Sequence, residues 1–98
     1  MEQQHFTLRY RIMTTLYDAF KKYPDASMDI RELEEQCATD PETLNWNLAY
    51  LEKCGYLELG RMEDFPPYIA AVVSITARGI DLVEDEKALK TRFNINPL

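Results

Sequence analysis

Between Thr43 and Lys53 the chain collects a hydroxyl, two amides, two large aromatic rings and a cation, at Thr43, Asn45, Asn47, Trp46, Tyr50 and Lys53. Side chains of these types recognise partners rather than break bonds. Asn amides hydrogen-bond adenine edges, hydroxyls read either base type, and cations hold phosphates. On a helix turning about 100° per residue, Thr43, Trp46, Tyr50 and Lys53 fall with Glu42 and Ala49 opposite the stripe Leu44, Leu48 and Leu51, and Asn45 and Asn47 flank that face. Arg61 and Arg31 are further cations suited to phosphate, but no arginine lies on the face itself. Catalytic chemistry lacks its residues. His5 is the single histidine, glycine-rich phosphate loops are absent, and neither Cys37 nor Cys54 has a basic partner nearby in sequence. Asp85 and Glu86 are adjacent on a helix and point apart. The expectation is a non-enzyme with no cofactor and no metal site.

The elements that must position these residues are marked by caps and periodicity. Ile12, Met13, Leu16, Ala19, Phe20 and Tyr23 recur at three and four spacing, which predicts a first helix over about Thr7 to Tyr23, stopped before Pro24. Met28 begins a brief extended segment. Asp29 with Glu32 three residues on forms a capping-box pattern for a second helix, Ile30 to Cys37, whose buried side is Ile30, Leu33 and Cys37. Ala38 and Thr39 turn the chain. Asp40 then caps a third helix with Pro41 at its first position, and Gly55 terminates it in the left-handed conformation. Tyr56 to Arg61 reads as a strand with Leu57 and Leu59 inward, Met62 to Pro67 as a loop, and Tyr68 to Ile75 as the returning strand with Ile69, Ala71, Val73 and Ile75 on one face. Thr76 caps a fourth helix, about Ala77 to Lys90, ahead of a tail over 91–98. The class is mainly α with a small antiparallel β-hairpin.

A chain of 98 residues is one domain, 1–98, able to bury a core without metal or disulfide support. Two cysteines are too few for a disulfide framework and are expected to be reduced. The net charge of −6 repels phosphate at long range, so any nucleic-acid contact has to come from a local basic patch. Arg9 and Arg11 interrupt the N-terminal region, which contains no apolar run suited to a signal peptide or a membrane span. The expected location is cytoplasmic, with no membrane partner.

The order of three helices, hairpin and closing helix resembles the winged-helix superfamily over residues 7–90, and is similar to the small MarR-like and PadR-like transcriptional regulators. The most specific pieces are Leu51-Glu52-Lys53-Cys54-Gly55-Tyr56-Leu57 and Ile75-Thr76-Ala77-Arg78-Gly79. The resemblance implies a winged helix-turn-helix with a three-helix core, a wing and a C-terminal helix. It implies a third helix in the major groove, the wing along the backbone or minor groove, and dimerisation through terminal helices. Thr43, Asn45, Trp46, Asn47 and Tyr50 would then face the groove of double-stranded DNA, and Lys53, Arg61 and Arg31 its phosphates.

The sequence departs from that pattern by its acids. Asp40 and Glu42 stand at the third helix's N-terminus, Glu63 and Asp64 with Phe65 at the wing tip, and Glu32, Glu34 and Glu35 on the second helix. Read plainly, these are capping choices and a solvated face. Trp46 and Tyr50 make an aromatic ridge with three readings: a partner surface, a nucleic-acid contact, or a site covered by the same chain. Leu82, Leu89 and Phe93 form a second apolar stripe about a quarter turn from Ile80 and Val83, to be buried either in a homodimer seam or under the first helix with Phe6, Leu8 and Tyr17. The leading expectation is a homodimeric DNA-binding regulator, and the alternative is a winged-helix module for protein contacts. Assembly could gather Arg9, Arg11, Arg31, Arg61 and Arg78 into a basic patch that linear order hides.

Overall fold

The computed structural model of the protein describes residues 2–61 and 66–94, with side chains from His5 onward. Its elements are α1 (Glu2–Lys22), β1 (Met28–Asp29), α2 (Ile30–Cys37), α3 (Pro41–Lys53), β2 (Leu57–Gly60), β3 (Val72–Ile75), α4 (Ala77–Glu84) and α5 (Glu86–Arg92). α1 begins five residues earlier than its apolar period suggested. Those added residues reach α3, where His5 packs on Trp46.

The expected turns are built by side-chain caps. Asp29 accepts from the Arg31 amide at 2.8 Å, and Asp40 accepts from the Thr43 amide at 2.8 Å with Pro41 filling the first turn. The reciprocal half of the expected capping box does not appear, because Glu32 accepts from Gln36 one turn on. Gly55, at φ +83°, ends α3 as a left-handed residue should. Asp29 and Asp40 both hold their protons less tightly than an ordinary aspartate. For Asp29 the Arg31 side chain is the larger cause and its amide the second; for Asp40 the Thr43 amide leads and its hydroxyl follows. A folded-state value below the unfolded one means these caps contribute fully above the ordinary value of 3.8 and are lost as pH falls through the folded value. Melting temperature is therefore expected to drop as pH is lowered below about 4, and Asp40→Asn to remove part of that slope. A melting temperature unchanged between pH 6 and pH 3 would contradict this account of the caps.

The sheet has the order β1-β3-β2, antiparallel throughout, with Leu57 opposite Ile75, Leu59 opposite Val73, and Met28 also paired with Val73. Both hairpin strands are shorter than expected. At the base of the wing the Asn45 amide of α3 donates to the Pro67 carbonyl at 2.8 Å and accepts from the Ile69 amide at 3.1 Å, so those backbone groups are satisfied without a ladder. The expected acidic wing tip at Glu63, Asp64 and Phe65 lies outside the described residues.

The core is assembled from Ile12, Met13 and Leu16 of α1, Ile30 and Leu33 of α2, Leu44, Leu48 and Leu51 of α3, and Leu57 and Val73 of the sheet. Tyr23, expected on the apolar face of the first helix, is exposed beyond the last turn of α1. The expected single C-terminal helix is two helices. Asp85 leaves helical geometry at φ −95°, ψ 89° and accepts from the Ala88 amide at 3.0 Å, capping α5 as a separate helix. The change of direction turns Leu89 and Phe93 into the core of their own chain, so these two do not form the exposed dimer stripe expected of them. Leu82 is half-buried against the same core.

Candidate functional site

Helix α3 and the elements laid across it carry the candidate residues, and the structure separates those that reach the surface from those already engaged. Asn47, expected on the flank of the outward face, is fully buried. Its carbonyl oxygen accepts from Arg9 Nε at 2.8 Å, and its amide donates to the Thr43 carbonyl at 2.8 Å and lies 3.5 Å from His5 Nδ1. It is a satisfied polar core residue and not the base reader expected of it. Both ends of the Asn45 amide are taken by the base of the wing. The Thr43 hydroxyl donates to Asp40 at 3.0 Å, and the Tyr50 hydroxyl accepts from Arg92 Nη2 at 2.7 Å.

Two of the three expected phosphate anchors are already paired with carboxylates. Arg61 makes a two-pronged contact with Glu52 at 2.8 and 2.9 Å, which raises the Arg61 pKa and lowers that of Glu52. Arg31 reaches both oxygens of Asp29 at 3.3 Å. Lys53 is exposed at the end of α3. Trp46 is 44% exposed, the one large apolar side chain of the described α3 surface that stands out. Along the outward ridge of α3, Glu42, Trp46 and Lys53 are exposed and Ala49 is half-buried.

Alongside that ridge runs an arrangement the sequence did not announce. The His5 ring lies 4.2 Å from Trp46, the Arg9 guanidinium sits 5.7 Å from the Trp46 ring and 3.9 Å from the Tyr50 ring, and Arg92 sits 5.6 Å from Tyr50 and 5.7 Å from Tyr56. Arg78 completes the series 5.7 Å from Tyr56. Rings and guanidinium groups thus alternate as Trp46, Arg9, Tyr50, Arg92, Tyr56, Arg78, drawn from α1, α3, α4, α5 and the turn after α3. Arg92 also donates to the Tyr56 hydroxyl at 3.3 Å and to Cys54 Sγ at 3.3 Å. The hydrogen bond to Tyr50, followed by that to Tyr56, raises the Arg92 pKa above its ordinary value. Burial, with the Arg92 charge adding to it, lowers that of Arg9. Both stay protonated at any physiological pH.

A groove of about 640 Å³ opens on the other side of α1, between its N-terminal half and the α2–α3 turn, and Leu8, Arg11, Cys37 and Asp40 lie in its wall. Burial raises the Cys37 pKa, so its sulfur stays a thiol. Among the described residues no three His, Cys, Asp or Glu side chains converge as a metal site requires. None of the described helices is long and apolar enough to cross a membrane.

No protein-family model and no curated protein sequence matches the chain. Among solved structures, the crystal structure of NadR in complex with 4-hydroxyphenylacetate superposes on it with a TM-score of 0.60 at 22% identity, over 87% of this chain. The fold is a winged helix. The superposition spans 55% of the NadR chain, so this chain is similar to little more than half of that protein. Within a winged helix, α2 and α3 are the helix-turn-helix, β2 and β3 the wing, and β1 the third strand of the sheet. The row beside α3 draws on Arg92 and Tyr56, neither of which was a candidate from sequence, and on Arg9 and Arg78 without the help of a second copy.

Proposed function

We propose that the chain is a small winged-helix transcriptional regulator that binds double-stranded DNA with weak sequence discrimination. The observation that carries this reading is the outward ridge of α3, where Glu42, Trp46 and Lys53 are exposed in the helix that this fold presents to a major groove. Discrimination is weak because the side chains suited to reading bases are engaged. Asn47 is buried, the Asn45 amide holds the wing, and the Thr43 hydroxyl holds Asp40. Asp40 and Glu42 also place negative charge at the α3 N-terminus, so phosphate contact belongs to its other end. The expected result is micromolar binding of a mixed-sequence 20-base-pair duplex at 20 mM salt, weakening steeply by 200 mM, in fluorescence anisotropy. Absence of binding at 20 mM salt rejects the reading.

One observation favours a second reading, docking of a protein on the same ridge. A tryptophan 44% exposed beside His5 and Arg9 is the kind of side chain that anchors protein interfaces. Trp46→Ala separates the two. Under the DNA reading the salt slope is retained, since the ring neutralises no phosphate. Under the docking reading, capture of the partner is lost while the melting temperature changes little.

A further inference from the structure

We propose that Arg9, Arg92 and Arg78 form a phosphate-holding row beside α3, taking successive phosphates of one nucleic-acid strand. The inference rests on the DNA-binding reading and names the groups that carry it.

Three observations converge on this row. The first concerns charge pairing. In a chain of net charge −6 with 17 carboxylate side chains, none of these three arginines makes an ion pair among the described residues, whereas Arg31, Arg61 and Lys90 each do. Asp81, three residues after Arg78 on α4, is exposed and does not pair with it. Arg9 and Arg92 are half-buried and Arg78 is exposed. For the two half-buried guanidinium groups the lack of a counter-ion is unfavourable, and aromatic faces offset only part of that cost. The second concerns donors. Arg9 uses Nε on Asn47, Arg92 uses Nε and Nη2 on the two tyrosines and Cys54, and the Arg78 side chain makes no hydrogen bond within the described residues. The remaining terminal nitrogens have no hydrogen-bond partner among the described residues, and the Tyr50 ring 3.9 Å from Arg9 backs that guanidinium as phosphate recognition favours.

The third concerns spacing. Trp46, Tyr50 and Cys54 step along α3 by four residues, about 6 Å of rise each. Arg9 lies over the first pair and Arg92 over the second, with Arg78 beyond them at Tyr56 and against Gly55. A repeating polyanion matches that order better than a single small anion does. Lys53, exposed at the same end of α3, extends the positive run.

The test is the salt dependence of binding to the mixed-sequence duplex, measured on the full chain. Each neutralised phosphate contributes about 0.9 to the slope of log affinity against log salt, so three contacts make affinity fall about 40-fold between 50 and 200 mM. Arg9→Gln, Arg92→Gln and Arg78→Gln are each expected to reduce the slope by about 0.9. Lys21→Gln/Lys22→Gln, at the far end of α1, alters net charge by more than any of them and is expected to leave the slope unchanged. Arg92 braces two tyrosines and its variant can lose stability. Arg78, whose side chain makes no hydrogen bond within the described residues, therefore supplies the decisive single variant. Wild-type binding with an undiminished slope in Arg78→Gln and Arg9→Gln overturns the row and leaves the DNA reading standing. No wild-type binding at 20 mM salt rejects both. Capture of poly-glutamate without capture of duplex assigns the row to an acidic protein segment and overturns the proposal.

Discussion

Phe93→Ala is expected to lower the free energy of unfolding by about 3–5 kcal/mol, the range for removing a fully buried aromatic ring. Phe93 is completely inaccessible, and it packs with Leu89 into the same cluster as Leu8, Ile12 and Leu48. For a domain of this size such a loss lowers the melting temperature by roughly 15–30 °C. The informative part is its concentration dependence. If Phe93 belonged to a dimer seam, melting would shift with protein concentration and the penalty would shrink on dilution. Because the ring is buried within its own chain, the same loss is expected across a hundredfold range of concentration in calorimetry or circular dichroism. Leu82→Ser, at a half-buried position of α4, is expected to cost far less. A loss below about 1 kcal/mol for Phe93→Ala would mean that α5 does not pack as described.

The same residue shows what the sequence conveyed and what it hid. Leu89 and Phe93 stand out of phase with Ile80 and Val83 on one continuous helix, and that offset reads as a second sticky stripe. The offset marks a break instead. Residues after Asp85 belong to a helix pointing elsewhere, so phase relations across the break carry no meaning. The signal was present in Asp85, a capping residue three positions before Ala88, but a continuing apolar period outweighed it. Caps with no competing period were legible. Asp29, Asp40, Gly55 and Thr76 stop and start elements where their side chains or backbone freedom require.

The candidate site was less legible because its partners are remote in sequence. Asn47 sits at the i+3 position from Leu44 and four before Leu51, a core position by spacing that its polarity disguised. What satisfies it is Arg9, 38 residues away. Asn45 is spent on the wing 22 and 24 residues on. The ring and guanidinium series joins α1, α3, α4 and α5, and no local pattern encodes it. Trp46 differs. Its position opposite Leu44, Leu48 and Leu51 follows from periodicity alone, and it is exposed.

Gly79→Ala tests the joint at which that series is held. A methyl built on Gly79 would lie 2.2 Å from the Tyr56 carbonyl oxygen, 2.8 Å from Ile75 Cγ1 and 3.0 Å from Met13 Cε. Met13 can swing aside at small cost. The carbonyl cannot, because it accepts from the Thr76 amide at 3.1 Å and is thereby fixed between the end of α3 and the start of α4. Thr76 tightens the same joint, its hydroxyl donating to the Gly55 carbonyl at 2.6 Å and accepting from the Gly79 amide at 3.1 Å. Two effects oppose one another. Alanine favours a helix over glycine by about 1 kcal/mol, while forced overpacking in a closed core costs up to about 3 kcal/mol. With backbone as the obstacle the second wins, leaving a net loss of about 2 kcal/mol and a melting temperature lower by roughly 10 °C. Moving the first turn of α4 also shifts Arg78 off the Tyr56 ring. Under the proposed phosphate row, Gly79→Ala is therefore expected to lower the salt slope of duplex binding even at temperatures where it is fully folded. A variant that melts at or above the wild type, with an unchanged slope, would show that α4 does not abut the Tyr56 carbonyl.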